Sequence, residues 1–571
     1  MSSLPKYYHD ELAHLRGLGR EFARIHPGAA PHLAAEGSDP DVERLLEGFA
    51  FLTARIRQKL DDDLPELTHA VLDLFWPGFL RPIPSMAVVE FSPMPQARDV
   101  VEVARGAVLE SVPIDGARCR FRTAYDVAVT PVRLSALTVV PDGGGCLRLT
   151  FDLPEGASRD HLGLQRLRLH FGGEGVSGRW LRQALFGACR GVQVVVDGHD
   201  PVALPADAIR PVGFVHHEAL LPDAAASMPA LRLLQEYFAF PAKFLFLDLI
   251  GLDRVAPMGT RPSFTVVFQL ERLPEGMPQL TAADVVLNCT PVVNLFACDG
   301  DPIRVDHRQG EYRVRAAGHD PSHAEVYAID RVEGGARGSD SRTYAPLYHR
   351  GRRRDDRSPQ YQLRRRCALD GDGSDVAIAV TSDPASRPET LSLALTCTNR
   401  QLAASLGIGD IRVPGAKTPT GVRCRNRTRP TPPIAAPSDG AVHWQMLSHL
   451  GLNVESLVDI ESLRRLLDLY DRRPEAATAS RRRVEDGIVS VRSAPATRLV
   501  DGLPVRGIAI ELTMAEEQPG SAGDQHLLVS LLDELFSQYV SLNSFSQLTV
   551  VRAGGVVSDR RPARLGGRAL L

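Results

Sequence analysis

The chain has 571 residues, of which 44% are hydrophobic and 24% are charged, and its formal net charge is -3 at pH 7. Its length predicts three or four domains, and its near-neutral charge gives no reason to expect a nucleic-acid or membrane-surface partner. Its only lysines are Lys6, Lys59, Lys243 and Lys417 among 66 basic residues. Because nearly every basic residue is arginine, arginine clusters are weak evidence for arginine-specific chemistry.

The cysteine pattern and the apolar runs indicate a reduced compartment. Eight cysteines are scattered without a CxxC pair, which argues against a disulfide scaffold and against a cysteine zinc site. The first residues lack the charged-then-apolar pattern of a signal peptide, and no apolar run approaches the ~20 residues that span a bilayer. We therefore expect a cytoplasmic protein.

The first predicted elements are helices. Residues 6–25 carry apolar side chains on one side, and the run HPGAAPH then breaks the helix. Asp39 is a plausible N-cap for a second helix, with Pro40 at its first position. Pro65 can restart a third helix, which Pro77 and Gly78 end.

The second helix has a marked apolar stripe. Its members recur at three- and four-residue steps: Val42, Leu45, Leu46, Phe49, Leu52, Ile56 and Leu60. Two interpretations are open. The helices are core elements of a large protein, or they belong to an intermolecular bundle, since little else in the N-terminal sequence would cover them.

Either way, we expect eight residues to form helix-packing or partner contacts. They are Tyr8, Leu12, Leu15, Phe22, Leu45, Phe49, Leu52 and Ile56. If the site of Phe49 is fully buried, its truncation to Ala costs about 3–5 kcal/mol.

After Pro84 the sequence changes to alternating, β-branched segments separated by turn signals, as in antiparallel sheets. We predict an α+β multidomain protein with a helical N-terminal region at 1–84, antiparallel β-rich middle domains at 85–235 and 236–424, a Pro-rich linker at 425–441, and a C-terminal α/β domain at 442–571. Within the last domain we expect a helix over residues 456–470, then a strand, a helix and a strand.

No motif predicts catalysis. Residues 370–375 read DGDGSD, but a calcium loop starting at Asp370 needs Glu where Thr381 stands. His216 and His217 are adjacent and lack HExxH spacing, so a shared metal ion is not expected. Neither a phosphate-binding loop nor a nucleophile elbow occurs. We therefore expect no cofactor, no metal site and no catalytic residues. A hydrolase with a site assembled from distant residues stays open as the least favoured alternative, since its motifs are missing.

The strongest charge feature lies between Arg337 and Arg366, with ten arginines against three acidic residues and with interleaved tyrosines. One hypothesis is a nucleic-acid-binding protein that uses this segment. The alternatives are a long solvated loop or a patch facing an acidic protein partner, and the composition favours these.

Several segments, taken in order, resemble the TssF (VasA/ImpG) family of type VI secretion baseplate proteins. They include YYHDELAHLRGLGREFARIHP, the run from Asp39 to Met86, FLFLDLIGL, LNCTPVVNLF, LTCTNRQL, WQMLSHLGLN, RGIAIELT and YVSLNSFSQL. The resemblance covers nearly the whole chain, but residues 337–366 have no counterpart in the family pattern.

The resemblance implies a structural role without enzymatic activity. Two copies of such a protein would join one TssG through a helical bundle, and this wedge would bind TssK, which links the baseplate to the membrane complex. Six wedges would surround the VgrG spike and template the contractile sheath proteins, with TssE at the sheath end. The chain would then be cytoplasmic and recruited to the secretion complex docked at the inner membrane.

Overall fold

The computed structural model describes most of the chain. The described residues are 4–25, 40–61, 65–95, 97–141, 144–154, 164–172, 176–222, 229–254, 263–335, 341–348, 359–368, 373–381, 388–450, 458–473, 487–500, 503–515 and 522–566. The chain divides into two compact units. The first comprises Met1–Leu72 with Ser438–Leu447, and the second comprises Asp73–Pro437 with Ser448–Leu571.

The described helices of eight or more residues are α1 Leu4–Ile25, α2 Pro40–Asp61, α3 Pro65–Phe75, α4 Val176–Gly187, α5 Pro229–Ala239, α6 Gly440–Leu450, α7 Ile460–Tyr470 and α8 Ala522–Tyr539. The second helix begins at Pro40, as predicted, while Asp39 lies outside the described residues. The helix predicted over 456–470 begins only at Ile460, because the Asp459 side chain accepts a hydrogen bond from the Ser462 N–H and caps it there.

The strands follow in chain order. The first group is β1 Met86–Pro93, β2 Val101–Val103, β3 Val108–Ile114, β4 Ala117–Thr123, β5 Val127–Val129, β6 Arg133–Val140, β7 Cys146–Asp152, β8 Arg166–Phe171, β9 Cys189–Val195, β10 Val202–Ala203 and β11 Ile209–Pro211. The second is β12 Phe246–Ile250, β13 Ser263–Leu270, β14 Val285–Leu287, β15 Cys289–Val293, β16 Phe296–Asp299, β17 Ile303–Val305, β18 Tyr312–Arg313, β19 Glu325–Gly335 and β20 Arg342–Pro346. The third is β21 Gln360–Cys367, β22 Ser374–Val380, β23 Glu389–Thr398, β24 Ile411–Pro414, β25 Val422–Asn426, β26 Ile488–Val500, β27 Leu503–Met514, β28 Phe545–Arg552, β29 Val557–Arg560 and β30 Arg564–Leu565.

One six-stranded sheet of the second unit joins distant parts of the sequence. Its described strand order is β24-β3-β4-β15-β1-β25, so β1 lies between a strand near residue 290 and one near residue 424. One face buries an apolar cluster that includes Phe91, Leu109, Phe121 and Val292. Such pairing between remote segments cannot be read from local alternation, since register depends on the strand's partners.

Two further sheets form a sandwich. The orders are β10-β9-β13-β7-β6 and β11-β12-β8-β14, and side chains from both sheets and from α4 share one core. Phe151 and Phe264 stack within it, with their ring centroids 5.2 Å apart. The alternating burial of β13 places Phe264, Val266 and Phe268 on the same inward face.

The last described sheet has the order β26-β27-β28-β29, with β30 also pairing with β28. β27 and β28 are parallel, and α8 connects them, as a parallel pair requires a crossover. The helix buries Leu532, Leu535 and Phe536 completely. Across the described chain, helices and mainly antiparallel sheets occur together, which confirms the predicted α+β class.

Candidate partner interface

The first unit contains the two long helices that carry the predicted contact residues. α1 and α2 pack against each other. Among the described side chains of α2, the fully buried ones are Ala50 and Ala54, four residues apart and therefore on one side of the helix. Small side chains at this spacing allow another backbone to approach closely. The side of α2 that packs within this chain is therefore its alanine side.

The apolar stripe of α2 lies on a different, solvent-exposed side of the helix. Leu45, Phe49 and Leu52 are 74%, 60% and 56% exposed. They are spaced by four and three residues, so they share one helix face. Three large apolar side chains on one exposed face form a patch of the kind that marks interaction sites. The side chain of Ile56 lies outside the described residues.

The four predicted contact residues on α1 occupy different environments. Leu12 is buried, Tyr8 and Leu15 are half-buried, and Phe22 is exposed. The structure therefore divides the seven predicted residues whose side chains are described between internal packing and the exterior. That any of them contacts a partner stays a prediction.

Sequence reasoning missed one component of this unit. Residues of α6, more than 360 positions away, join it, and the His443 ring meets the His69 ring edge-on with centroids 4.8 Å apart. Trp444 and Leu67 are both about half exposed. Nothing local in the sequence near Trp444 signals this association.

The charged side chains described on α2 are exposed. Arg44 lies 3.5 Å from Asp41 one turn away, and both side chains are largely in solvent. Exposed pairs of this kind contribute little free energy. The main property of this exposed face is therefore its apolar surface.

The arginine-rich segment differs from the predicted loop. Of its described residues, 342–346 and 360–366 lie in β20 and β21, which run parallel to each other. The predicted loop was wrong there because strand pairing, rather than charge, decides their conformation. Arg352–Arg354 lie outside the described residues.

The arginines of β21 serve the fold. Arg365 donates to the carbonyl oxygens of Val326 and Tyr327, each at 2.8 Å, and burial lowers its pKa to about 10. Arg364 and Arg366 both pair with Glu311. These guanidinium groups are engaged within the chain, and nothing in the geometry favours nucleic-acid binding.

Among the described residues, no group of three or more His, Cys, Asp or Glu is placed to hold a metal ion. Next to His216 and His217, the Glu218 carboxylate accepts a hydrogen bond from the Gly213 N–H and lies 3.5 Å from Arg168. No helix in the described part of the chain has the length and apolar character needed to cross a bilayer.

Known proteins resemble this chain over its whole length. The family model "Type VI secretion system, TssF" matches residues 1–568. The type VI secretion system component TssF1 of Pseudomonas aeruginosa (strain PAO1) is 32% identical over 606 aligned positions, covering 96% of each protein.

Two solved structures extend the likeness to the fold. A chain in the cryo-electron microscopy structure of the type VI secretion system TssK-TssF-TssG baseplate subcomplex superposes with a TM-score of 0.78 at 30% identity, covering 92% of this chain and 99% of that one. A chain in the baseplate complex from the type VI secretion system gives 0.67 at 27% identity, covering 99% and 100%. The chain belongs to the TssF family of type VI secretion systems.

Proposed function

We propose that this chain is a structural, non-enzymatic subunit of a type VI secretion baseplate, in which it assembles with a TssG-like and a TssK-like protein. The observation that carries the proposal is full-length similarity to a chain solved within a TssK-TssF-TssG subcomplex. The exposed face of α2 supplies a physical reason for assembly, because covering it removes apolar surface from water.

The occupant of the α2 face is, in this proposal, a helix of the TssG-like protein. An amphipathic helix that is exposed on its apolar side is completed by another helix packed along it. Tyr8, Leu12, Leu15 and Phe22 of α1 would complete or support the same bundle, and Ile56 would extend the stripe by one turn. A second copy of this chain would enter the bundle through the same partner.

The copy number and the further partners in this proposal are taken from the family resemblance. Wedges of two copies with one TssG-like protein would bind TssK and surround the VgrG spike, and TssE and the sheath proteins would join the growing structure. The protein would work in the cytoplasm at a secretion complex docked on the inner membrane. No cofactor is required for any of these contacts.

Co-expression with the TssG-like and TssK-like proteins of the same gene cluster, followed by native mass spectrometry, tests the proposal. The expected result is a stable species with two copies of this chain and one TssG-like protein. A chain that stays alone while both partners are folded would contradict the proposed function.

The α2 face is tested by the double substitution Leu45→Ser with Phe49→Ser. Both side chains are exposed, so the isolated chain keeps its unfolding temperature while the complex dissociates. The matched control is Met277→Ser, since Met277 is 52% exposed in the other unit. Complexes of equal stability for the double variant and the control would rule out this face.

A further inference from the structure

Two cysteines on neighbouring strands bring their thiol groups together. Cys298 lies in β16 opposite Leu395 of β23, and Cys397 lies two residues further along β23. Positions two residues apart share one face of a strand, so the two cysteines are diagonal neighbours on the same side of the sheet. Their Sγ atoms are 3.1 Å apart.

This separation is about 1 Å longer than the bond of about 2.05 Å that joins the sulfur atoms of a disulfide. β16 lies at the edge of its described sheet, with β23 as its hydrogen-bonded neighbour. An edge strand can shift by such a distance without disturbing a strand on its other side. A disulfide between the two sulfur atoms therefore requires little rearrangement of the backbone.

The two thiols differ in their exposure. Cys397 is completely buried and belongs to the same apolar cluster as Leu395. Cys298 packs against this cluster but is only half-buried, and it lies between the exposed residues Ala297 and Asp299. A small oxidant that arrives from solvent therefore meets Cys298 first and reaches Cys397 only through it.

The two thiols also differ in acidity. The hydrogen bond from the Cys397 thiol favours a thiolate at Cys298 and lowers the pKa of Cys298, with a further contribution from Arg120, while burial and Asp299 oppose the shift. The same pairing, together with burial, raises the pKa of Cys397. Since the thiolate is the nucleophilic form of cysteine, Cys298 is the thiol that reacts first.

We propose that Cys298 and Cys397 form an oxidative modification site, at which hydrogen peroxide converts the two thiols into a disulfide within the chain. The Cys298 thiolate first attacks the peroxide, so that an S–O bond forms, the O–O bond breaks, and the departing hydroxide takes up the proton released by the thiol to become water. The Cys397 sulfur then attacks the sulfenic sulfur of Cys298, so that the S–S bond forms, the S–O bond breaks, and a second water leaves with the Cys397 proton. Both sulfur atoms are oxidised and the peroxide is reduced to two waters.

The arrangement suits a disulfide better than a metal site. Two sulfur atoms would need further ligands to enclose an ion, and among the described residues no group of three or more His, Cys, Asp or Glu is placed to supply them. A disulfide requires only the two sulfur atoms and the oxidant. The nearby Cys397 thiol also converts the sulfenic acid before a second oxidation makes the change irreversible.

The disulfide would fasten two strands beside a junction between two sheets. Asn294 precedes β16 and Asn399 follows β23, and each donates a hydrogen bond to the side-chain oxygen of the other at 2.7 Å. Both also bond to the backbone of Arg120 in β4, a strand of the six-stranded sheet. The cross-link would join residues 99 positions apart, so it would constrain the unfolded chain and stabilise this junction.

Peptide mass spectrometry of the full-length chain tests the proposal. The protein carries Cys367→Ser, which removes an exposed cysteine and any cross-link between molecules through it. After treatment with hydrogen peroxide, the protein is alkylated and digested without reductant. The expected product is a cross-linked pair of peptides that contain Cys298 and Cys397 and that dithiothreitol separates.

Two results of this experiment would overturn the proposal. One is alkylation of both Cys298 and Cys397 at a peroxide dose that oxidises Cys367 in the wild-type chain. The other is sulfinic acid at Cys298 while Cys397 is still alkylated, because the neighbouring thiol would then have failed to react with the sulfenic acid.

Single substitutions test the order of the two steps. In Cys397→Ser the sulfenic acid of Cys298 should accumulate and be labelled by dimedone, whereas in Cys298→Ser the buried Cys397 should stay unlabelled. Equal labelling of the two variants would overturn the reaction as written. Circular dichroism checks that each variant is folded, and the cross-linked peptides of the Cys367→Ser protein decide the proposal if either variant is not.

Thermal unfolding measures the effect of the disulfide on the fold. Peroxide should raise the unfolding temperature of the Cys367→Ser protein by about 2–5 °C, and should not raise that of the same protein with Cys298→Ser. Equal shifts in the two proteins would contradict the stabilising role of the disulfide. Because the reaction takes place within one chain, failure of the chain to form a complex would contradict the proposed function and leave this inference standing.

Discussion

Lys243 donates a hydrogen bond from its ammonium group to Glu236 Oε2, and both side chains are completely buried. The other carboxylate oxygen, Oε1, accepts from the N–H groups of Leu220 and Leu221 at 2.9 and 3.0 Å. Desolvation by burial lowers the pKa of Lys243, and the charge of Glu236 opposes this. The pair joins α5 to the turn that follows it and to the segment before it.

Replacing Glu236 by Gln should destabilise the second unit by about 3–5 kcal/mol. The amide oxygen can still accept from the backbone, but the buried ammonium group loses its counter-charge. Urea unfolding followed by circular dichroism measures the change. Glu236→Gln with Lys243→Met is the informative double variant. It keeps an acceptor for the Leu220 and Leu221 N–H groups and removes both buried charges, which should restore much of the lost free energy. A Gln variant as stable as the wild type would show that the charges are not paired.

His170 is a second buried polar group with a measurable consequence. It lies in β8 with its ring 4.4 Å from that of Phe246, and neither ring nitrogen has a hydrogen-bond partner among the described residues. Burial, and secondarily the charge of Arg427, lowers its pKa to about 3. His170→Leu should therefore stabilise the fold by about 1–2 kcal/mol at pH 7, since an unpaired polar group is removed.

The same residue predicts a pH dependence. The unfolded chain takes up a proton at His170 near pH 6.5, while the folded chain does not until about pH 3. Between these values the unfolded state binds more protons, so the stability contributed by neutral His170 is lost as the pH falls. The wild type should lose about 1.4 kcal/mol per pH unit more than His170→Leu below pH 6. Parallel stability curves for the two proteins would contradict this assignment.

Gly507 tests the close approach of β27 to Phe545 at the start of β28. Gly507→Ala should destabilise the C-terminal sheet by about 1–3 kcal/mol, because the new methyl group meets the Phe545 backbone and must displace it. Gly335→Ala is the control, since Gly335 ends β19 and a Cβ there meets nothing within 4 Å. The two variants are compared by thermal unfolding. A similar effect at both positions would mean that β27 and β28 do not approach as described.

Adjacent arginines of β21 should behave very differently. Arg365→Gln should cost about 2–4 kcal/mol because two backbone carbonyl groups and the buried Glu325 carboxylate lose their partner. Arg366→Gln should change the stability by less than about 0.5 kcal/mol, since the Arg366 side chain is mostly exposed and Glu311 keeps its pair with Arg364. Chemical unfolding of both variants checks this. A larger effect at Arg366 would reverse the roles assigned to the two side chains.

The apolar stripe of α2 shows which structural features the spacing of apolar residues can predict. Spacing alone identified α2 and placed Leu45, Phe49 and Leu52 on one face, because 3.6 residues per turn is a property of the backbone. It did not reveal whether this face packs inside the chain. Ala50 and Ala54 take that position instead, and the choice depends on which surfaces the other helices present. Phe49 is accordingly exposed, so the condition attached to its predicted stability loss is not met in the isolated chain.

The six-stranded sheet that contains β1 and the burial of Arg365 are two features that local sequence patterns do not predict. Alternation identified β1 and β15 as strands, whereas β25 was not predicted and runs into the start of the predicted linker at residue 425. The adjacency of the three strands joins residues that are about 200 and 340 positions apart in sequence. Likewise, three consecutive arginines are alike in sequence, while pairing with β22 buries Arg365 and leaves Arg366 exposed.

The sequence by itself determined the α+β class, the start of α2 at Pro40 and the family, because propensity, capping and extended similarity are carried by contiguous residues. Tertiary structure alone decided which apolar faces are covered, which arginines are buried and how closely β27 passes Phe545 at Gly507. These outcomes depend on contacts between remote segments, and the free energy of such contacts is set by the packing partner rather than by the residue's neighbours along the chain.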